Sequence, residues 1–149
     1  MDKPESPFAF LIGSWAGNEE LFATPWAAGG VAHGRWSFRF DSGGRHLIHD
    51  YAATRDDGSR FDAHGVLAPD ERGNLLWFWF DSYGYVPVSP GTGEWNGQAL
   101  VLTRTSPRGS NRTILTPAPN GGFGCDITFT ASGEAEPMPV ARGIYHRQA

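Results

Sequence analysis

Residues 7–20, PFAFLIGSWAGNEE, carry a short apolar turn straight into a Gly-x-Trp-x-Gly segment, and everything after that junction reads as strands. Ser6 is placed to cap the backbone donors of the turn, and Pro7 suits its first position, where a missing N–H has no intrahelical partner anyway. Gly13 is the natural stop. Trp15 then falls on the first strand beside Gly17, so a large indole sits where other backbone can approach closely. The stretch predicts the plug and first stave of a small barrel.

Working outward, no later segment repeats apolar residues at helical spacing for three turns, while 20 glycines and 11 prolines punctuate the chain at short intervals. Within residues 31–41, Trp36, Phe38 and Phe40 share one face and Arg35, Ser37 and Arg39 the other, the period of a half-buried strand. Phe123, Cys125, Ile127 and Phe129 form a second such row, which makes Cys125 a core residue before a catalyst. Residues 75–80, LLWFWF, are apolar on both faces, so the outer face needs a cover from the opening turn, a loop or another subunit. Turn signals leave about ten strands. Asn96-Gly97 is the strongest hairpin signal, predicting a type I′ turn between strands at 92–95 and 98–105. Closure into an up-and-down barrel removes the edges that such a meander would otherwise expose. The expected fold is all-β, a single antiparallel barrel of about ten strands with a helical turn closing one end.

The 149 residues suit one domain, 1–149, large enough to bury a core without metals or disulfides. A formal charge of -4 without runs of either sign gives no footprint for nucleic acid or an anionic membrane. Cys125 is the only cysteine, which excludes an internal disulfide framework and fits a reducing compartment. The N-terminus lacks the basic start and apolar run of a secretory leader, and no apolar run approaches the ~20 residues of a membrane helix, so a cytoplasmic protein is expected.

These features together carry a resemblance. The opening FLIGSWAG (residues 10–17), the glycine-rich aromatic second strand and the terminal GIYHR (residues 143–147) resemble the calycin-type β-barrels, and within them a bacterial family of unassigned function related to nitrobindin and, more distantly, to lipocalins and fatty-acid-binding proteins. The resemblance implies a closed lower end, where the tryptophan after the first turn packs on a basic residue of the last strand. Here that pairs Trp15 with Arg142 or Arg147, and Arg142 is taken as the partner. An arginine over an indole contributes about 0.5–2 kcal/mol, more when desolvated. Nitrobindin-like proteins hold haem through a histidine near the C-terminus, and the late histidine here, His146, lies within the terminal strand.

Chemistry-bearing residues are weighed against plainer roles. His33, His46, His49, His64 and His146 make no recognised metal spacing; His46 and His49, three apart, fall on opposite faces of a strand. No metal is expected. No Gly-x-Ser-x-Gly elbow is present, and the adjacent carboxylates Glu19-Glu20, Asp56-Asp57 and Asp70-Glu71 read as solvated residues near turns. What remains is an aromatic interior with a few polar groups, the composition of a small-molecule site. His49 and Tyr51 share a face with Leu47, His64 with Asp62 and Val66, and Trp77 and Trp79 with Leu75; pointing inward, they would line one pocket.

Three functions follow from this. The first is a non-enzymatic binding or carrier barrel for an apolar or aromatic small molecule, lined by His49, Tyr51, His64, Trp77 and Trp79 and closed by Trp15 with Arg142. The second is a nitrobindin-like haem protein handling nitric oxide or peroxynitrite. The third is an interaction module acting as a homodimer through the two-sided strand at 75–80.

Overall fold

The computed structural model describes residues 7–84 and 86–149. Ten strands follow a short 3₁₀ turn at Ala9–Leu11: β1 (Gly13–Leu21), β2 (Gly30–Phe40), β3 (Leu47–Arg55), β4 (Arg60–Pro69), β5 (Leu75–Asp81), β6 (Gly91–Trp95), β7 (Leu100–Ser106), β8 (Gly109–Pro117), β9 (Phe123–Ala131) and β10 (Met138–Arg147). Each pairs antiparallel with its chain neighbours, and β1 pairs with β10 to close the barrel. The expected all-β ten-strand barrel is the observed fold. Among the described residues no helix is long and apolar enough to cross a membrane.

Alternation places Trp36, Phe38, Leu47, His49, Ala53, Ala63, Leu67 and Trp77 inside. On β5 the inner row is Leu75, Trp77 and Trp79; of the outer row, Leu76 and Phe78 are half-buried and Phe80 is exposed. The opening turn lies at one end of the barrel. It starts at Ala9, with Phe8 as its flanking residue and no side-chain cap, so Pro7 precedes it by two positions; Ser6 lies outside the described residues. The Trp15 indole N–H donates to the Leu11 carbonyl at 2.7 Å, which ties the turn under the barrel. Trp15 also meets Phe123 edge-on at 5.1 Å.

The closing arginine is Arg147, not Arg142. Arg147 stands opposite Trp15 in the β1–β10 register, its guanidinium 4.3 Å from the indole centroid and donating to the Ile12 carbonyl at 2.8 Å. Arg142 registers with Glu20, five residues up the strand or roughly 17 Å away at strand rise, and pairs with Asp126 on the outer face.

The Asn96-Gly97 hairpin forms where expected but is not type I′. Only Gly97 takes a positive φ, 93°. Asn96 instead accepts the Gln98 and Ala99 amides on its side-chain oxygen, at 2.9 and 2.8 Å, an Asx turn that needs one left-handed residue where type I′ needs two.

Gly17 lets β1 and β10 approach. A Cβ built there would overlap the Ile144 carbonyl, and backbone in a paired strand has little room to retreat. Gly17→Ala is expected to cost about 1–3 kcal/mol in urea unfolding, whereas Gly124→Ala, whose Cβ would meet nothing nearer than 3.9 Å, should change little.

Candidate functional site

Burial along the barrel axis shows which end is open. At the plugged end the inner residues Trp15, Leu47, Leu100, Leu115 and Phe123 are all but fully buried. At the opposite end Tyr51, Phe61, Trp79, Arg104 and Phe129 remain partly exposed, although register and ring contacts place them on the inner face. Solvent therefore enters the upper half of the barrel. Trp26, in the β1–β2 connection, overhangs this end and meets Phe129 edge-on at 5.3 Å. On the other side Phe61 packs on Tyr83 at 5.2 Å.

Glu19 sits below this opening. It is 4% exposed, and its carboxylate accepts from the Tyr51 hydroxyl at 2.6 Å and the Tyr145 hydroxyl at 2.8 Å. Gly34 makes the space, since a Cβ there would overlap Glu19 Oε1. Burial raises the Glu19 pKa above its ordinary value, against the lowering effect of the two phenols. Both phenols are themselves pushed up, burial being the largest cause. Reading Glu19-Glu20 as two solvated carboxylates near a turn missed this. The signal was the alternation: Trp15, Gly17 and Glu19 share the inward face of β1.

His49 occupies the middle layer, 1% exposed, its ring over Gly65, where a Cβ would overlap the imidazole. Trp77 Nε1–H donates to His49 Nε2 at 3.0 Å, so the neutral ring carries its proton on Nδ1. That nitrogen has no hydrogen-bond partner among the described residues. Burial holds the His49 pKa down to about 4.

Above it, Arg104 crosses the interior from β7. Its guanidinium lies 4.6 Å from the Trp79 ring centroid and 5.3 Å from that of Trp77. Arg104 Nε is buried without a hydrogen-bond partner, and burial lowers the pKa of the group, partly opposed by Asp81. The Asp81 carboxylate is already engaged, accepting from Trp79 Nε1 at 2.9 Å and from the Tyr83 amide at 3.0 Å.

Of the five residues read as one lining, the structure brings four together. His49, Tyr51, Trp77 and Trp79 all face inward, His49 lying 6.2 Å from Trp77 and 5.7 Å from Trp79 by ring centroids. His64 faces outward. It stands opposite Asp50 and Phe80 and binds Asp50 through Nδ1 at 2.7 Å on the exposed surface, because the inward positions of β4 are its neighbours Ala63 and Gly65. Trp77 is a core residue, 1% exposed, and does not face the opening.

Neither His49 nor His146 is arranged as a haem ligand. His49 has one ring nitrogen taken by Trp77 and its faces crowded by Trp36, Phe38 and Trp79, all within 5.7 Å. His146 lies on the exposed outer face of β10. Among the described residues no three His, Cys, Asp or Glu side chains are grouped to hold a metal. A surface depression of about 500 Å³ opens on the β1–β3 rim beside Asn18, His33 and Arg55, but it includes none of these interior groups.

No family model and no curated protein matches the chain. Among solved structures it is similar to Rv2717c from M. tuberculosis, with a TM-score of 0.71 and 16% identity over 95% of both chains. It is also similar to the S-type phycobiliprotein lyase CPES from Guillardia theta, with a TM-score of 0.67 and 11% identity over 95% of this chain and 90% of that one. A third likeness is EF1p2_mFAP2b bound to DFHBI, with a TM-score of 0.51 and 14% identity over 93% and 94%. At such identities the shared property is the barrel fold.

Proposed function

We propose that this chain is a calycin-type binding barrel that holds a small aromatic molecule in its open end, without catalysing a reaction on it. The observation that carries this reading is the partial exposure of inward-facing Tyr51, Phe61, Trp79 and Phe129 above a fully packed lower half. A barrel meant only as a packed scaffold gains nothing by leaving aromatic faces wetted on the inside, whereas a ligand ring covering them removes apolar area from water. Arg104, partly exposed beside Trp79 at this end, supplies a polar group of the kind that orients a ligand in such sites. Of the structures that share this fold, one was solved with DFHBI bound, which supports a small-molecule reading.

Native mass spectrometry of freshly purified protein tests for a retained ligand, and 2-naphthamide serves as a neutral aromatic probe in ligand-observed NMR. Phe61→Ala, at the wetted end, is expected to weaken 2-naphthamide binding about 3- to 10-fold while leaving the fold intact. Absence of both a retained adduct and probe binding, or equal binding by wild type, Phe61→Ala and Trp79→Ala, would overturn the proposal.

A further inference from the structure

Four buried side-chain polar atoms lack a hydrogen-bond partner among the described residues: Thr24 Oγ1, Trp36 Nε1, His49 Nδ1 and Arg104 Nε. The last three belong to inward-facing side chains, and all three are donors, His49 by the tautomer that Trp77 imposes. Buried donors without acceptors are costly and rare, so an interior with three of them is short of acceptor atoms in reach.

Arg104 is the one of the three that solvent reaches, and its surroundings are those of a recognition group. Its guanidinium lies over the Trp79 and Trp77 rings, while its N–H edges make no hydrogen bond or ion pair among the described residues. Asp81 acts on this charge through space but forms no ion pair with it; its oxygens accept from the Trp79 indole and the Tyr83 amide. A planar fork with open edges matches a carboxylate, and the Trp79 ring beside it offers an aromatic group a stacking surface.

We infer that the barrel's ligand is an aromatic carboxylate, its carboxylate bound by Arg104 and its ring lying among Trp79, Phe61 and Tyr51. This rests on the binding-barrel reading and adds to it the charge and the chemical class of the ligand.

The test compares 2-naphthoate with neutral 2-naphthamide by ligand-observed NMR titration, on wild-type protein, Arg104→Gln and Arg104→Lys. Wild type is expected to prefer naphthoate about 10- to 100-fold, the strength of a charge-assisted pair in a partly desolvated site. Arg104→Gln should erase that preference, naphthoate losing more affinity than naphthamide. Arg104→Lys should keep part of it, since it retains the charge but loses the fork, and it serves as the variant if the glutamine form does not fold. Equal wild-type affinities for the two probes, or a preference that survives Arg104→Gln, would overturn the inference while the binding-barrel reading stands. No binding of either probe would overturn the inference, and the binding-barrel reading falls with it when native mass spectrometry also finds no retained adduct.

Discussion

Replacing Trp77 by alanine is expected to lower the unfolding free energy by about 3–5 kcal/mol, the usual cost of deleting a fully buried tryptophan. Two effects add. The indole fills the middle layer between Trp79 at 5.2 Å and His49 at 6.2 Å, so its loss opens a cavity that a closed ten-strand wall collapses into poorly. It also donates to His49 Nε2, and alanine leaves that nitrogen a buried acceptor with nothing to accept, which places the loss toward the upper end of that range. Trp77→Phe refills most of the volume without the donor and should fall between alanine and wild type. Urea unfolding followed by far-UV circular dichroism measures both. A loss below about 1 kcal/mol for Trp77→Ala, with unchanged m-value, would show that the residue is not packed as described. As a lining residue Trp77 would be replaceable with the fold preserved and binding abolished; its burial instead makes the fold the first thing to suffer.

Glu19 should give the second large effect, and its sign depends on the substituent. Glu19→Ala leaves the Tyr51 and Tyr145 hydroxyls inside the barrel without their acceptor, which at about 1–3 kcal/mol each predicts a loss of about 2–6 kcal/mol. Glu19→Gln keeps an acceptor and removes a buried charge, so at neutral pH it should match or exceed wild type. The pH dependence follows from two opposed groups. Burial raises the folded pKa of Glu19, so its contribution to stability is fully present below the ordinary value of 4.5 and is lost as pH rises through the folded value. His49 works the other way: its pKa falls from 6.5 unfolded to about 4 folded, so stability present above 6.5 is lost as pH falls toward 4, by about 3 kcal/mol in all. In wild type the two partly cancel between pH 4 and 7. Glu19→Gln removes one of them, so its urea midpoint should drop more steeply than wild type from pH 7 to pH 4. Superimposable pH profiles would show that Glu19 titrates normally and is not held in the interior.

Much of the architecture was legible from the chain alone because it depends on neighbours in sequence. Two-residue alternation at Trp36, Phe38 and Phe40 and at Phe123, Cys125 and Ile127 marks strands wherever they end up, and glycine and proline turns set their number. The turn before Gly-x-Trp pointed to a closed end, and Trp15 does seal it. Even the Asn96-Gly97 hairpin was placed correctly, though its turn type was not, since the asparagine side chain competed for the amides that a type I′ geometry would have left to the backbone.

The site was legible only in part, for one physical reason. Alternation says which residues share a face and never which face turns inward; a one-residue shift exchanges the two sets. His49 with Tyr51 and His64 with Asp62 were equally plausible inner rows, and only the β3–β4 register, with Ala63 and Gly65 inward, sends His64 out to Asp50. The same ambiguity put Glu19 among the solvated carboxylates and gave Arg142, not Arg147, the place against Trp15. The sequence by itself determined the strands, their count and the plugged end, because local periodicity and turn chemistry decide those. Closure of the β1–β10 seam decided which polar groups are trapped inside, Glu19, His49 and Arg104, because that depends on pairings between residues as far apart as Trp15 and Arg147.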